Sequence, residues 1–289
     1  MEMLSILKRI IFLQWLIFSA PLFALQLICP PRDSQGQLRI DSQAIQILEQ
    51  CIQQAPETKS LFFNNQIHQY TPQRQQLHQQ IIADILANKP CQVEKPIVIF
   101  TGGFPGAGKS TYLQEKLPWV NEKTFIFIDA DAIRAKLPEY KGWNAENTQS
   151  EVSDIVQALL EPLGKPCKYN VVYDSTMANL ANYQHLIHQF KDMGYQTYIV
   201  YVETPLKVAI DRAKNRYLTT GRYVSTVYLA HIKKDGMKTF ETIKHSVDGY
   251  ILVDGQNFET LNQGGKPLPT SAGIGSKQFN SRQEFSNNS

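Results

Sequence analysis

The 289-residue sequence has little net charge. Its 29 Lys and Arg stand against 26 Asp and Glu, for a formal +3, and neither sign is concentrated in one stretch. A dedicated nucleic-acid binder or a polybasic membrane binder is not built this way, so any anion this chain holds must be held by a local site. Cysteine is scarce as well. Cys29, Cys51, Cys91 and Cys167 form no CxxC pair and have no His at metal spacing, which argues against zinc. In an exported chain they permit disulfides in three connectivities, and they are equally ordinary as buried thiols. Composition also excludes collagen, wholesale disorder and a small disulfide scaffold, because 43% of the residues are hydrophobic and Gly and Pro number only 16 and 15. No internal repeat of about 20–50 residues is present. What remains is a globular chain with material for one or two domains.

The amino terminus stands apart. Lys8 and Arg9 precede an uncharged apolar stretch from Ile10 to Ile28, interrupted only by Gln14, Ser19, Pro21 and Gln26. Residues 1–24 read as a secretory signal with Ala20 and Ala24 as cleavage positions. An uncleaved anchor that engages the membrane and a buried amino-terminal helix are the alternatives, and Ile28 is bulky for a lipoprotein signal ending at Cys29. Positive charge before the apolar run places Asp41 onward outside the cytoplasm. Residues 25–90 form a Gln-rich extension, with twelve Gln between Gln43 and Gln80. Within it Leu77, Ile81, Ile82 and Ile85 fall at helical spacing, which predicts a helix packed on the domain C-terminal to it.

From residue 91 to 262 the pattern alternates. Apolar runs at Pro96–Thr101, Phe125–Ile128, Asn170–Tyr173, Gln196–Val202 and Tyr250–Val253 carry the signature of buried parallel strands. Between them Val152, Ile155, Val156, Leu159, Leu160 and Leu163 share one helical face, as do Leu186, Phe190 and Met193. These predict an α/β fold, a three-layer α/β/α sandwich with a mostly parallel five-stranded sheet and an amino-terminal helical extension. Residues 263–289 turn to Gly, Ser, Asn and Gln and predict a disordered tail.

Directly after the first strand stands Gly103-Phe104-Pro105-Gly106-Ala107-Gly108-Lys109-Ser110, followed by Thr111. This GxxxxGK[ST] string marks the predicted sandwich as one of the P-loop NTPase type and lets backbone N–H groups curl around phosphates at a helix N-terminus. Lys109 reaches the outer phosphates, and the Ser110 hydroxyl is offered to Mg²⁺. The second strand runs into Asp129-Ala130-Asp131. Period 2 puts both carboxylates on one strand face near the carboxyl edge of the sheet, where Asp131 can orient an acceptor hydroxyl or cap the next helix. Asp174 ends the third strand beside the loop, where a carboxylate orders water around Mg²⁺. Arg212 and Arg216 lie at i and i+4 on one helix, and Arg222 follows Gly221 at the tip of a lid, where a forked donor stabilises a transferring phosphoryl group. Glu151 is explained locally as the end of a Thr148-Gln149-Ser150-Glu151 capping box.

These residues resemble the zeta-toxin family of phosphate-loop kinases. The likeness runs from Tyr70 to Asn257 through GGFPGAGKST, IDADAIR with a downstream Pro-Glu-Tyr, YDST, and Arg212, Arg216 and Thr220-Gly221-Arg222-Tyr223-Val224. It implies transfer of the terminal phosphate of ATP or GTP, with Mg²⁺, to a sugar hydroxyl of UDP-N-acetylglucosamine. It further implies Asp131 as general base, Arg216 and Arg222 as transition-state arginines, and Thr176 and Glu151 as substrate contacts. A neutralising antitoxin or immunity protein is the partner that it implies, and no nucleic acid is expected. Ser175 and Met177 stand where the family has Gly and Arg. Kinases acting on a polynucleotide 5′ end or a small antibiotic, and a non-catalytic nucleotide-binding module, are the alternative readings. Because triphosphate is scarce outside cells, the expectation is export toward a triphosphate-containing cytoplasm, such as that of another cell.

Overall fold

The computed structural model of the protein describes residues 27–90, 95–164 and 167–270. The expected signal or anchor at 1–24, Cys91 and the tail beyond 270 lie outside the described residues. Among the described residues no helix is long and apolar enough to cross a membrane.

Among the described residues two helices come first. Helix α1 (Ser42–Gln54) is capped by Asp41, whose carboxylate accepts from the Ala44 amide at 3.0 Å. Helix α2 (Thr58–Phe62) leads into a hairpin of β1 (Phe63–Asn64) and β2 (Gln69–Tyr70) that no pattern in the sequence announces. Helix α3 (Pro72–Leu86) begins with Pro at its first position, where no backbone donor is needed. It lays Ile81 into the main core, with Leu77, Ile82 and Ile85 packed beside it. The periodicity of the Gln-rich segment therefore indicates the helix and its buried side correctly.

The central sheet comprises β3 (Ile97–Gly102), β4 (Ile126–Asp129), β5 (Val171–Asp174), β6 (Gln196–Glu203), β7 (Gly249–Asp254) and β8 (Thr260–Gly265). Their spatial order is β4-β5-β3-β6-β7-β8, parallel throughout except for the antiparallel β7–β8 pair. Strand β3 is buried on both faces, Val98 and Phe100 entering one core layer and Ile97 and Ile99 the other. Each of the five predicted strands ends one residue later than its apolar run. The extra residues are Gly102, Asp129, Asp174, Glu203 and Asp254, small or acidic groups at the carboxyl edge that still belong to the ladder.

Among the described residues the sheet has six strands, not five. Strand β8 straddles the start of the segment expected to be tail, its last three residues falling within 263–289, and its TLNQGG sequence is mostly exposed. As an edge strand it is held by backbone bonds to β7 and carries no apolar alternation to announce it.

Around the sheet run α4 (Lys109–Lys116), α5 (Ala130–Arg134), α6 (Ala145–Leu160), α7 (Leu180–Asp192), α8 (Leu206–Thr220) and α9 (Thr226–Ile243). The predicted faces of α6 and α7 are buried, except that Leu163 lies just beyond α6 in a 3₁₀ turn and Met193, half-buried, caps the end of α7. The predicted capping box is not at a helix start. Helix α6 begins three residues before Thr148, with Asn144 at its N-cap position, so Thr148–Glu151 lie inside it.

A third cluster joins the amino-terminal segment to the rest. Leu48, Cys51 and Ile52 pack with Trp143, Tyr217 and Tyr223, and Cys29 is disulfide-bonded to Cys51 across a Cα–Cα distance of 5.9 Å. Cys167 is disulfide-bonded too.

Candidate active site

The phosphate loop links the buried β3 to α4 and is shaped by its glycines. Gly103 adopts φ +122°, and a Cβ there would lie 2.3 Å from the Val202 carbonyl oxygen. Gly108 forms the N-cap of α4 at φ +103°, a left-handed conformation open mainly to glycine. The loop is braced from outside. The Arg212 guanidinium donates to the carbonyls of Gly106 (3.2 Å), Ala107 (3.3 Å) and Gly255 (3.1 Å), and the Thr204 hydroxyl donates to Ala107 at 3.0 Å. Arg212 is thus a support of the loop, not part of a solvated basic face. Lys109 Nζ donates to the Gly103 and Phe104 carbonyls at 3.2 and 3.3 Å and lies 3.8 Å from Asp174 Oδ1.

The carboxyl edge of the sheet brings the acidic residues to this loop. Asp129 and Asp174 are register partners on β4 and β5, and Asp174 in turn pairs with Thr101 on β3, whose hydroxyl donates to it. Burial pushes the Asp129 carboxyl up and the Asp174 charge adds to the rise, while Arg222 and Lys109 oppose it. Two neighbouring carboxylates of this kind favour a cation. A serine hydroxyl with one or two carboxylates is also the donor set with which Mg²⁺ binds while keeping its waters and its phosphate ligands. Ser110 and Asp174 fit that ion.

Asp131 is not on the strand with Asp129. Strand β4 ends at Asp129, which caps α5 by accepting from the Asp131 amide at 2.8 Å, so Asp131 belongs to the first turn of that helix. The capping role falls to Asp129, which leaves the Asp131 side chain free for other partners. It is flanked by two guanidinium groups: Arg134, one turn along the same helix, and Arg222 from the loop after α8. Arg134 is buried and also donates to Gln149 Oε1 at 2.5 Å and Thr148 Oγ1 at 3.3 Å on α6. Sequence reasoning misses Arg134, although its i+3 spacing from Asp131 is a signal that could have found it. Arg216 differs from both. Its Nε and Nη2 atoms are buried without a hydrogen-bond partner among the described residues, and burial pushes its guanidinium below its ordinary value. A buried guanidinium left unsatisfied by the protein suits an anionic ligand.

One cleft of about 1230 Å³ unites these groups. It is lined by the loop from Phe104 to Thr111, by Asp131, Asp174 and Thr176, and by Arg216 and Arg222. Gln149, Ser153 and Gln157, at helical spacing on α6, line it as well, together with Ile52 from α1 and Trp143.

Glu151 does not belong to this group. It is fully buried on the far side of α6, where Arg74 Nε (2.5 Å), Arg74 Nη2 (2.9 Å) and His78 Nε2 (2.6 Å) meet its carboxylate. Burial alone would raise it, but the His78 and Arg74 hydrogen bonds prevail and hold it at about 2. The structure corrects its assignment as a substrate contact: a helix shows the cleft only one face, and Glu151 lies on the other. In the turn after β5, Ser175 hydrogen-bonds Tyr183 at 2.5 Å while Met177 is fully buried in the core.

Comparison with known proteins agrees with this fold. The family model described as Zeta toxin matches residues 82–261. Among solved structures, the PezAT chromosomal toxin–antitoxin system of the human pathogen Streptococcus pneumoniae aligns at 18% identity and a TM-score of 0.54, over 68% of this chain and 83% of that one. The AvrRxo1-ORF1:-ORF2 structure with ATP aligns at 13% identity and a TM-score of 0.59, over 72% and 76%. No curated protein matches the chain.

Proposed function

This chain belongs to the zeta-toxin family and is a kinase, and on that premise we propose that it transfers the terminal phosphoryl group of ATP to a hydroxyl of a nucleotide sugar of the UDP-N-acetylglucosamine kind. The observation that carries the reading is Asp131, held by Arg134 and Arg222 in the same cleft as the phosphate loop.

Each residue then has a task. The loop amides and Lys109 hold the outer phosphates. Ser110 and Asp174 would hold Mg²⁺, which when bound would neutralise charge on the phosphate oxygens. Asp131 orients the acceptor hydroxyl and takes its proton as the new oxygen–phosphorus bond forms and the bond from the terminal phosphorus to the β–γ bridging oxygen breaks, releasing ADP, and Arg216 and Arg222 stabilise charge spreading over the equatorial oxygens. The α6 face of Gln149, Ser153 and Gln157 offers amides and a hydroxyl with both donors and acceptors, the complement of sugar hydroxyls. Thr176 adds a further hydroxyl to that lining.

Two wider proposals accompany this. Disulfide bonding at Cys29, Cys51 and Cys167 supports passage through an oxidising compartment, in keeping with export toward another cell. The toxin–antitoxin system among the similar structures supports a neutralising partner protein.

The test is incubation of the full chain with labelled ATP and a panel of nucleotide sugars, oligonucleotide 5′ ends and antibiotics, read by mass spectrometry. Label on the nucleotide sugar is expected in wild type. In Asp131→Asn, transfer is expected to fall on the order of 10²–10⁴-fold with ATP affinity kept. Label on an oligonucleotide or an antibiotic instead would overturn the acceptor assignment.

A further inference from the structure

The loop that carries Arg222 is fastened on two sides. On one side the Tyr223 amide donates to the Gly142 carbonyl at 3.3 Å, and the backbones there approach so closely that a Cβ on Gly142 would lie 2.6 Å from the Gly221 carbonyl oxygen. On the other side lies the disulfide-closed amino-terminal segment. The Tyr223 hydroxyl donates to Glu49 Oε1 on α1 at 2.7 Å, and its buried ring packs edge-on against Tyr217 and among Leu48, Cys51 and Ile52. Burial, with the Glu49 carboxylate beside it, pushes the Tyr223 phenol far up, so it remains a donor. The same segment is pinned to α6 at its far end, where Asn147 Nδ2 donates to the Ile52 (3.0 Å) and Ala55 (2.7 Å) carbonyls. Helix α1 is in turn tied back to residue 29 by the Cys29–Cys51 bond.

From these contacts we propose that Glu49 and Tyr223 are positioning residues for Arg222, and that the amino-terminal segment is thereby a working part of the kinase site. Arg222 and Tyr223 share a peptide bond, so anchoring the Tyr223 amide and ring sets where the Arg222 backbone stands. A guanidinium that must meet a transferring phosphoryl group loses much of its effect if displaced by about 1 Å. A charge so placed acts mainly in the transition state, so loosening it lowers turnover more than nucleotide binding. The inference rests on the kinase reading above and adds to it a requirement outside residues 82–261, the span of the family match.

The test uses the oxidised full-length chain and Glu49→Ala, Glu49→Gln and Tyr223→Phe, each alone and combined with Arg222→Ala. Turnover is followed as ADP release from Mg²⁺–ATP with the acceptor from the screen or with water, and hydrogen exchange is followed at residues 220–224. Loss of one such hydrogen bond is expected to lower kcat about tenfold in Glu49→Ala and Tyr223→Phe. The KM for ATP should stay within about twofold, with faster exchange at 220–224. Glu49→Gln, which keeps an acceptor oxygen, should recover kcat to within about threefold of wild type. In the Arg222→Ala background the same changes should cost nothing further. An additive loss in that background, or unchanged kcat in both single variants, overturns the proposal. A wild-type chain that releases no ADP would count against the kinase reading itself. The exchange arm then still decides the brace, which fails if Glu49→Ala leaves residues 220–224 as protected as in wild type.

Discussion

Arg216 shows how a single residue can be costly to the fold and useful to the reaction. Its buried Nε and Nη2 have no protein partner, and an unsatisfied buried donor costs about 1–3 kcal/mol. Arg216→Met, of similar length, is therefore expected to melt at the same temperature as wild type or higher, while losing on the order of a hundredfold or more in turnover. A large drop in melting temperature would mean that Arg216 serves the fold. Lys109 is the loop's counterpart to it, and Lys109→Ala is expected to lose at least about a hundredfold in rate, measured as phosphoryl transfer. Both residues were legible from sequence, Lys109 through the loop string and Arg216 through spacing and resemblance. The division of labour between Asp129 and Asp131 was not. It depends on where β4 stops pairing, and period 2 alone carries the strand two residues too far.

At the scale of elements, the Glu151 network explains how α3 is locked to α6. Arg74 bridges Glu151 and Glu139, His78 adds to Glu151, and Lys59 with the Tyr70 hydroxyl meets Asp154 one turn farther along α6. Removing one partner from a buried pair costs about 3–5 kcal/mol. Glu151→Ala is thus expected to destabilise the fold by that order without changing ATP affinity, as judged by denaturant midpoint and nucleotide titration. The network is also acid-sensitive. The folded Glu151 carboxyl at about 2 lies below its ordinary 4.5, so its contribution is complete above about pH 4.5 and is lost as pH falls toward 2. Melting temperatures across that window should fall less steeply in Glu151→Gln than in wild type, and parallel curves would exclude Glu151 as the source. In sequence this network was invisible. Thr148-x-x-Glu151 has the form of a capping box, and only the helix start three residues earlier shows that it is not one.

At the scale of the whole molecule, a 22-residue separation closed by the Cys29–Cys51 bond ties the amino-terminal segment to the catalytic unit. By chain entropy such a crosslink stabilises by about 3 kcal/mol. The Cys29→Ser/Cys51→Ser double variant is accordingly expected to melt on the order of 5–10 °C lower, measured by calorimetry, and an unchanged transition would show that the segment folds apart from the rest. What the sequence alone determined were the features that repeat or cluster locally: five parallel strands, the faces of α6 and α7, the loop string, and Asp131, Asp174, Arg216 and Arg222 as candidates that line one cleft with that loop. These are written within about ten residues each, where periodicity and glycine placement decide the outcome. The tertiary structure decided the rest. It paired Glu49 with Tyr223 across 174 residues and Arg74 with Glu151 across 77, turned Glu151 away from the cleft, and placed Arg134 and Arg222 on either side of Asp131. No local pattern encodes such contacts, because each depends on where two distant elements come to rest against a shared core.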